Sequence, residues 1–146
     1  MKILMAYLLA FVLGFYALDC SGKKNNNAPQ PKTFPLGDYQ YAGYDDGGVK
    51  VVEGRLSLTS RDGDQLKGTW ELKQIGEPKR IGEQVGSGEL VGSVQGSEVF
   101  LNLNPTMADD NVTLRGKVEG KRYKGTWSYS GFAGVISSGT FEATAK

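Results

Sequence analysis

From Gly37 onward, apolar and polar residues alternate with a period of two, and no stretch carries a helical apolar stripe. Val52, Gly54, Leu56 and Leu58 share one face, while Glu53, Arg55, Ser57 and Thr59 share the other. Leu66, Gly68, Trp70 and Leu72 alternate in the same way with Lys67, Thr69, Glu71 and Lys73. One buried and one wet face is the pattern of an antiparallel sheet. Glycine-bearing turns at Arg61-Asp62-Gly63, Gln95-Gly96 and Glu119-Gly120 join such runs into hairpins. A three-residue loop ending on a left-handed Gly63 predicts Leu58 opposite Leu66, Leu56 opposite Gly68, Gly54 opposite Trp70 and Val52 opposite Leu72. A hairpin from Val112 to Tyr129 predicts Val112 opposite Trp127, Leu114 opposite Gly125 and Gly116 opposite Tyr123. A third runs from Gly88 to Asn104, with Leu90 and Val94 facing Val99, Leu101 and Leu103. Inward glycines opposite bulky residues permit the bending that closed sheets require.

Strands at Asp38–Tyr44 and Ser137–Lys146 complete a set of eight, and the longest connection lies between Ile75 and Gly86. An eight-stranded meander closes to remove its edges. The expected fold is all-β: a single antiparallel up-and-down barrel of about eight strands, with a two-sheet β-sandwich as the alternative. Such a barrel is just wide enough to be filled by side chains or to hold one small ligand. Lys67-Gly68-Thr69-Trp70 recurs as Lys124-Gly125-Thr126-Trp127, and Ser138-Gly139-Thr140-Phe141 echoes both. Their flanks align only with a gap, which indicates recurrent strand chemistry rather than a solenoid repeat.

The chain begins differently. Lys2 precedes an uncharged run from Ile3 to Leu18, shorter than the roughly 20 residues that span a bilayer. A charged start and an apolar run predict a secretory signal helix over residues 1–19. Residues 20–36, rich in Lys, Asn, Gln and Pro, predict a disordered tether that takes no part in folding, and the barrel domain follows over 37–146. The lone Cys20, set between the apolar run and the polar stretch, resembles that of bacterial lipoprotein precursors, although Ala17, Leu18 and Asp19 depart from that family's pattern. The resemblance implies that Cys20 is the lipidated residue of an exported envelope protein, membrane-anchored and facing the periplasm or cell surface. The plainer reading is an ordinary signal peptide with an incidental Cys. The Gly-x-Trp wording of Gly68-Thr69-Trp70 and Gly125-Thr126-Trp127 is similar to that of calycin barrels (lipocalins, fatty-acid-binding proteins, avidins). Here it falls on the third and seventh expected strands rather than the first, and it implies that Trp70 and Trp127 line the barrel.

Composition narrows the chemistry. The 146 residues include 17 Lys+Arg against 16 Asp+Glu, one Cys and no His. The absence of His removes Ser-His-Asp triads, Cys-His dyads and His-bearing zinc sites. From Gly37 the body carries 13 basic and 15 acidic residues, so no basic face invites nucleic acid. Asp45-Asp46-Gly47-Gly48, Asp62-Gly63-Asp64 and Asp109-Asp110-Asn111 fall where turns are expected and lack the spacing of a calcium loop. Lys117, Lys121, Arg122 and Lys124 read as a solvated strand face. No cofactor, metal site or catalytic residue is expected. Tyr41, Trp70, Tyr123, Trp127, Tyr129 and Phe141, together with Tyr39, are the candidate barrel lining. They either line a pocket for a small apolar ligand or fill the core. The expected function is therefore non-enzymatic: binding of a small apolar or amphipathic molecule, or of another envelope component. The alternative is a protein-binding module, such as an inhibitor of an extracellular hydrolase, acting through loops such as Ile75–Gly86.

Overall fold

The computed structural model describes residues 34–77 and 80–146. The expectations of a signal helix, a lipidated Cys20 and a tether up to residue 33 lie outside the described residues. Eight strands follow one another: β1 (Gly37–Tyr44), β2 (Lys50–Asp62), β3 (Gln65–Gln74), β4 (Gly86–Gln95), β5 (Glu98–Asn102), β6 (Asp110–Glu119), β7 (Arg122–Gly131) and β8 (Gly134–Ala145). Each pairs antiparallel with the next, and β8 closes on β1 with Tyr41 opposite Ala143. The body is a closed up-and-down barrel, not a sandwich.

The expected faces are correct, but two expected registers are wrong by two residues. Leu58 pairs with Gly68, Leu56 with Trp70 and Gly54 with Leu72. Likewise Val112 pairs with Tyr129, Leu114 with Trp127, Gly116 with Gly125 and Val118 with Tyr123. The physical reason is the turn. The β2–β3, β4–β5 and β6–β7 loops each have two residues and place their glycine first, with positive φ at Gly63 (56°), Gly96 (64°) and Gly120 (63°). The β2–β3 turn starts a register with Ser60 opposite Lys67, which continued would set Leu58 against the outward Thr69. A bulge between Leu58 and Ser60 leaves one extra residue on β2 and restores agreement of faces. A shift of two keeps every side chain on its side of the sheet.

The barrel has two unlike ends. The turns at 63–64, 96–97 and 120–121 share one end with residues 34–36 and Lys146. The connections 45–49, 75–85, 103–109 and 132–133 share the other, which is the loop end. One expected boundary fails at the turn end. Phe34, assigned to the tether, is 2% exposed and packs against Tyr39 and Tyr123 at 5.0 and 5.2 Å between ring centroids. The Tyr39 hydroxyl donates to Pro35 O at 2.7 Å. A polar composition over 20–36 hid one aromatic residue with enough apolar surface to order the last residues of the segment.

Candidate functional site

The interior is occupied from end to end. Phe34 meets Tyr123, Tyr123 meets Phe141 edge-on at 4.7 Å, and Phe141 stacks on Tyr41 at 5.8 Å. The Tyr41 hydroxyl donates to Gln84 Oε1 at 3.1 Å, and Gln84 Nε2 donates to Ile81 O at 3.0 Å. Gln84, fully buried, and Ile81 belong to the 75–85 connection, and these two residues turn inward to cap the loop end. Trp70 and Trp127 flank this column, donating their indole N–H to Leu103 O at 2.6 Å and Tyr44 O at 2.8 Å. Tyr123 donates toward Val99 O and Leu114 O at 3.3 and 3.2 Å. Tyr39, Tyr41, Trp70, Tyr123, Trp127 and Phe141 are thus all brought inside, and every polar tip they carry is already engaged by the protein. Tyr129 alone stands at the rim, half-buried, its ring so close to Gly82 that a Cβ there would fall 2.2 Å from it.

Burial raises the phenols of this column. Tyr39 is pushed up to about 12 and Tyr41 beyond that, and Tyr123 is held well above its ordinary value by burial and by the neighbouring Tyr41. An unfolded chain releases these protons near pH 10 while the folded chain holds them. Their contribution is therefore fully present below pH 10 and is lost as pH rises from there through the folded-state value of each tyrosine. In an alkaline titration, the phenolate absorbance of these three is expected to appear only together with loss of near-ultraviolet circular dichroism. Ionisation near pH 10 in an intact fold would show the column to be open to water.

Asp45, Asp64 and Asn111 of the acidic clusters brace the turns at which they sit. Asp45 Oδ1 accepts the Val49 N–H at 2.8 Å and Asp45 O accepts that of Gly48 at 3.0 Å, while Arg61 reaches Asp64 at 3.7 Å. Asn111 Nδ2 donates to Met107 O and Ala108 O, and Asn104 Nδ2 to Asp110 O. Asp110 lies against Glu83 and Tyr129 and raises the pKa of both. Among the described residues no group of three or more Cys, Asp or Glu is placed to hold a metal ion. In the basic cluster, Lys117 pairs with Glu98, Arg122 with Glu142 and Lys124 with Glu119.

The exposed apolar residues are distributed unevenly. Of the eight large ones among the described residues, Val49, Val85, Met107, Phe132, Val135 and Ile136 sit at the loop end, and each of the four connections there contributes at least one. Phe132 is 93% exposed at the tip of the β7–β8 turn. Comparison with protein families, curated proteins and solved structures finds no match to this chain. The site therefore rests on its own geometry. Phe34, Ile81 and Gln84 escaped the sequence reading because a residue in a loop carries no periodicity to mark it as buried. The loop-end cluster escaped it because its members are far apart in sequence.

Proposed function

We propose that this protein is a non-enzymatic binding module of the cell envelope that engages another protein through the loop end of its barrel. The observation that carries this reading is the axial column from Phe34 to Gln84, which fills the interior and turns its polar tips inward. A calycin-type carrier of this strand number would keep that space for its ligand. The exposed apolar residues supply the second support, because single ones are ordinary but a set gathered at one end is not. They lie opposite the end at which Phe34 enters, so an N-terminal tether would leave them facing outward. The test is a photo-crosslinking side chain placed at Phe132 or, as the control, at the outward wall residue Val91. The expected result is a discrete protein adduct from Phe132 and none from Val91. A stoichiometric small molecule on protein taken from its own envelope, read by native mass spectrometry, would overturn this in favour of a carrier.

The proposed anchor is a lipidated Cys20, which the apolar run before it and the polar stretch after it support. Two acyl chains hold a protein stably where one is marginal. Cys20→Ala is expected to move the protein to the soluble fraction or stall it as the precursor. Mass spectrometry finding Cys20 unmodified would end this reading.

A further inference from the structure

A cleft of about 600 Å³ opens at the loop end between the 45–49 and 75–85 connections and the start of β8. Ile81, Trp127, Val51 and Ile136 give it apolar walls, and Asp45, Asp46 and Glu77 stand around it with Arg80 as the cation among its described lining residues. We propose that this cleft takes a cationic, apolar-stemmed segment of a partner polypeptide, a Lys or Arg flanked by apolar residues; this rests on the loop end being the binding surface.

Charge is arranged differently here than on the wall. Along the strands most acids are answered in place, Glu53 by Lys50 and Lys73, Asp38 and Glu71 by Arg55, Glu98 by Lys117, Glu119 by Lys124 and Glu142 by Arg122, and the exceptions Asp62, Glu89 and Asp110 are scattered singly. Among the described residues no ion pair involves Asp45, Asp46 or Glu77. Across the four loop-end connections the sequence holds five acidic residues, Asp45, Asp46, Glu77, Glu83 and Asp109, against Lys79 and Arg80. A long cationic side chain matches such a site in two respects, laying its methylenes on apolar walls while its charge stays with the carboxylates. Complementary charge also speeds encounter and excludes acidic competitors. The same carboxylates repel an anionic lipid surface, which argues against membrane insertion by the apolar tips.

The cleft carries its own reporter. Trp127 is one of two tryptophans in the chain, and its indole N–H bonds Tyr44 O, one residue before Asp45, whereas that of Trp70 bonds Leu103 O. The probe is a 14-residue peptide of Leu and Lys, titrated into the full chain in neutral detergent micelles while the two indole N–H resonances are followed. The expected result is that the Trp127 signal moves and the Trp70 signal does not. The Asp46→Lys/Glu77→Lys double variant should weaken binding at least tenfold, Ile136→Ser should weaken it several-fold, and raised salt should weaken it further. A still Trp127 signal would overturn the proposal. So would undiminished binding by the double variant, equal binding of a Leu and Glu peptide, or a response to phosphatidylglycerol vesicles instead. If the peptide fails while Phe132 still crosslinks a protein, the partner chemistry is wrong and the loop-end reading stands.

Discussion

Gly125→Val is expected to lower the melting temperature by on the order of 10–20 °C, and Gly68→Val by a similar amount. The obstacle is backbone. A Cβ on Gly125 would lie 2.0 Å from Arg115 O and 2.5 Å from Gly116 Cα, and one on Gly68 would lie 2.1 Å from Ser57 O. No rotamer relieves a clash with a neighbouring strand's carbonyl, so β6 and β7, or β2 and β3, must separate where the barrel bends. Overpacking costs about 1–3 kcal/mol, and a clash that moves backbone belongs at the upper end. The adjacent Thr69 and Thr126 are exposed, and Thr69→Val and Thr126→Val should stay within about 0.5 kcal/mol of the parent. Thermal unfolding followed by circular dichroism compares all four. Destabilising Thr variants beside silent Gly variants would mean that the inside and outside faces are exchanged. Pairing fixes the cause: Gly68 faces Leu58 and Gly125 faces Gly116, so the opposing leucines of the expected registers are not what forbids a side chain.

Tyr123→Ala is expected to cost about 3–5 kcal/mol, while Tyr123→Phe should cost about 1 kcal/mol. Tyr123 is fully buried between Phe34 and Phe141, so truncation opens a gap in the middle of the axial column. Phe keeps the ring and loses only a hydroxyl that serves two carbonyls at 3.2 and 3.3 Å. Denaturant titration separates the two values. The pair also tests function, because a side chain held in reserve for an internal ligand is not essential to packing. A Tyr123→Ala protein as stable as its parent would return the small-ligand reading.

Strand number, strand order and the identity of the inner face were legible from the residues alone. Period-two alternation is a local property, and a shift of register by two residues leaves it intact. That is why Tyr41, Trp70, Tyr123, Trp127 and Phe141 were assigned correctly to the interior although two pairings were not. The registers depended on where each turn glycine sits and on the bulge at β2, features that exist only once two strands are paired. Whether the barrel is filled was decided still further from the sequence. It required Phe34 to enter at one end and the 75–85 connection to fold Ile81 and Gln84 in at the other. The loop-end surface is likewise tertiary, since Val49, Val85, Met107 and Phe132 share one end only because an up-and-down barrel returns alternate connections to the same rim.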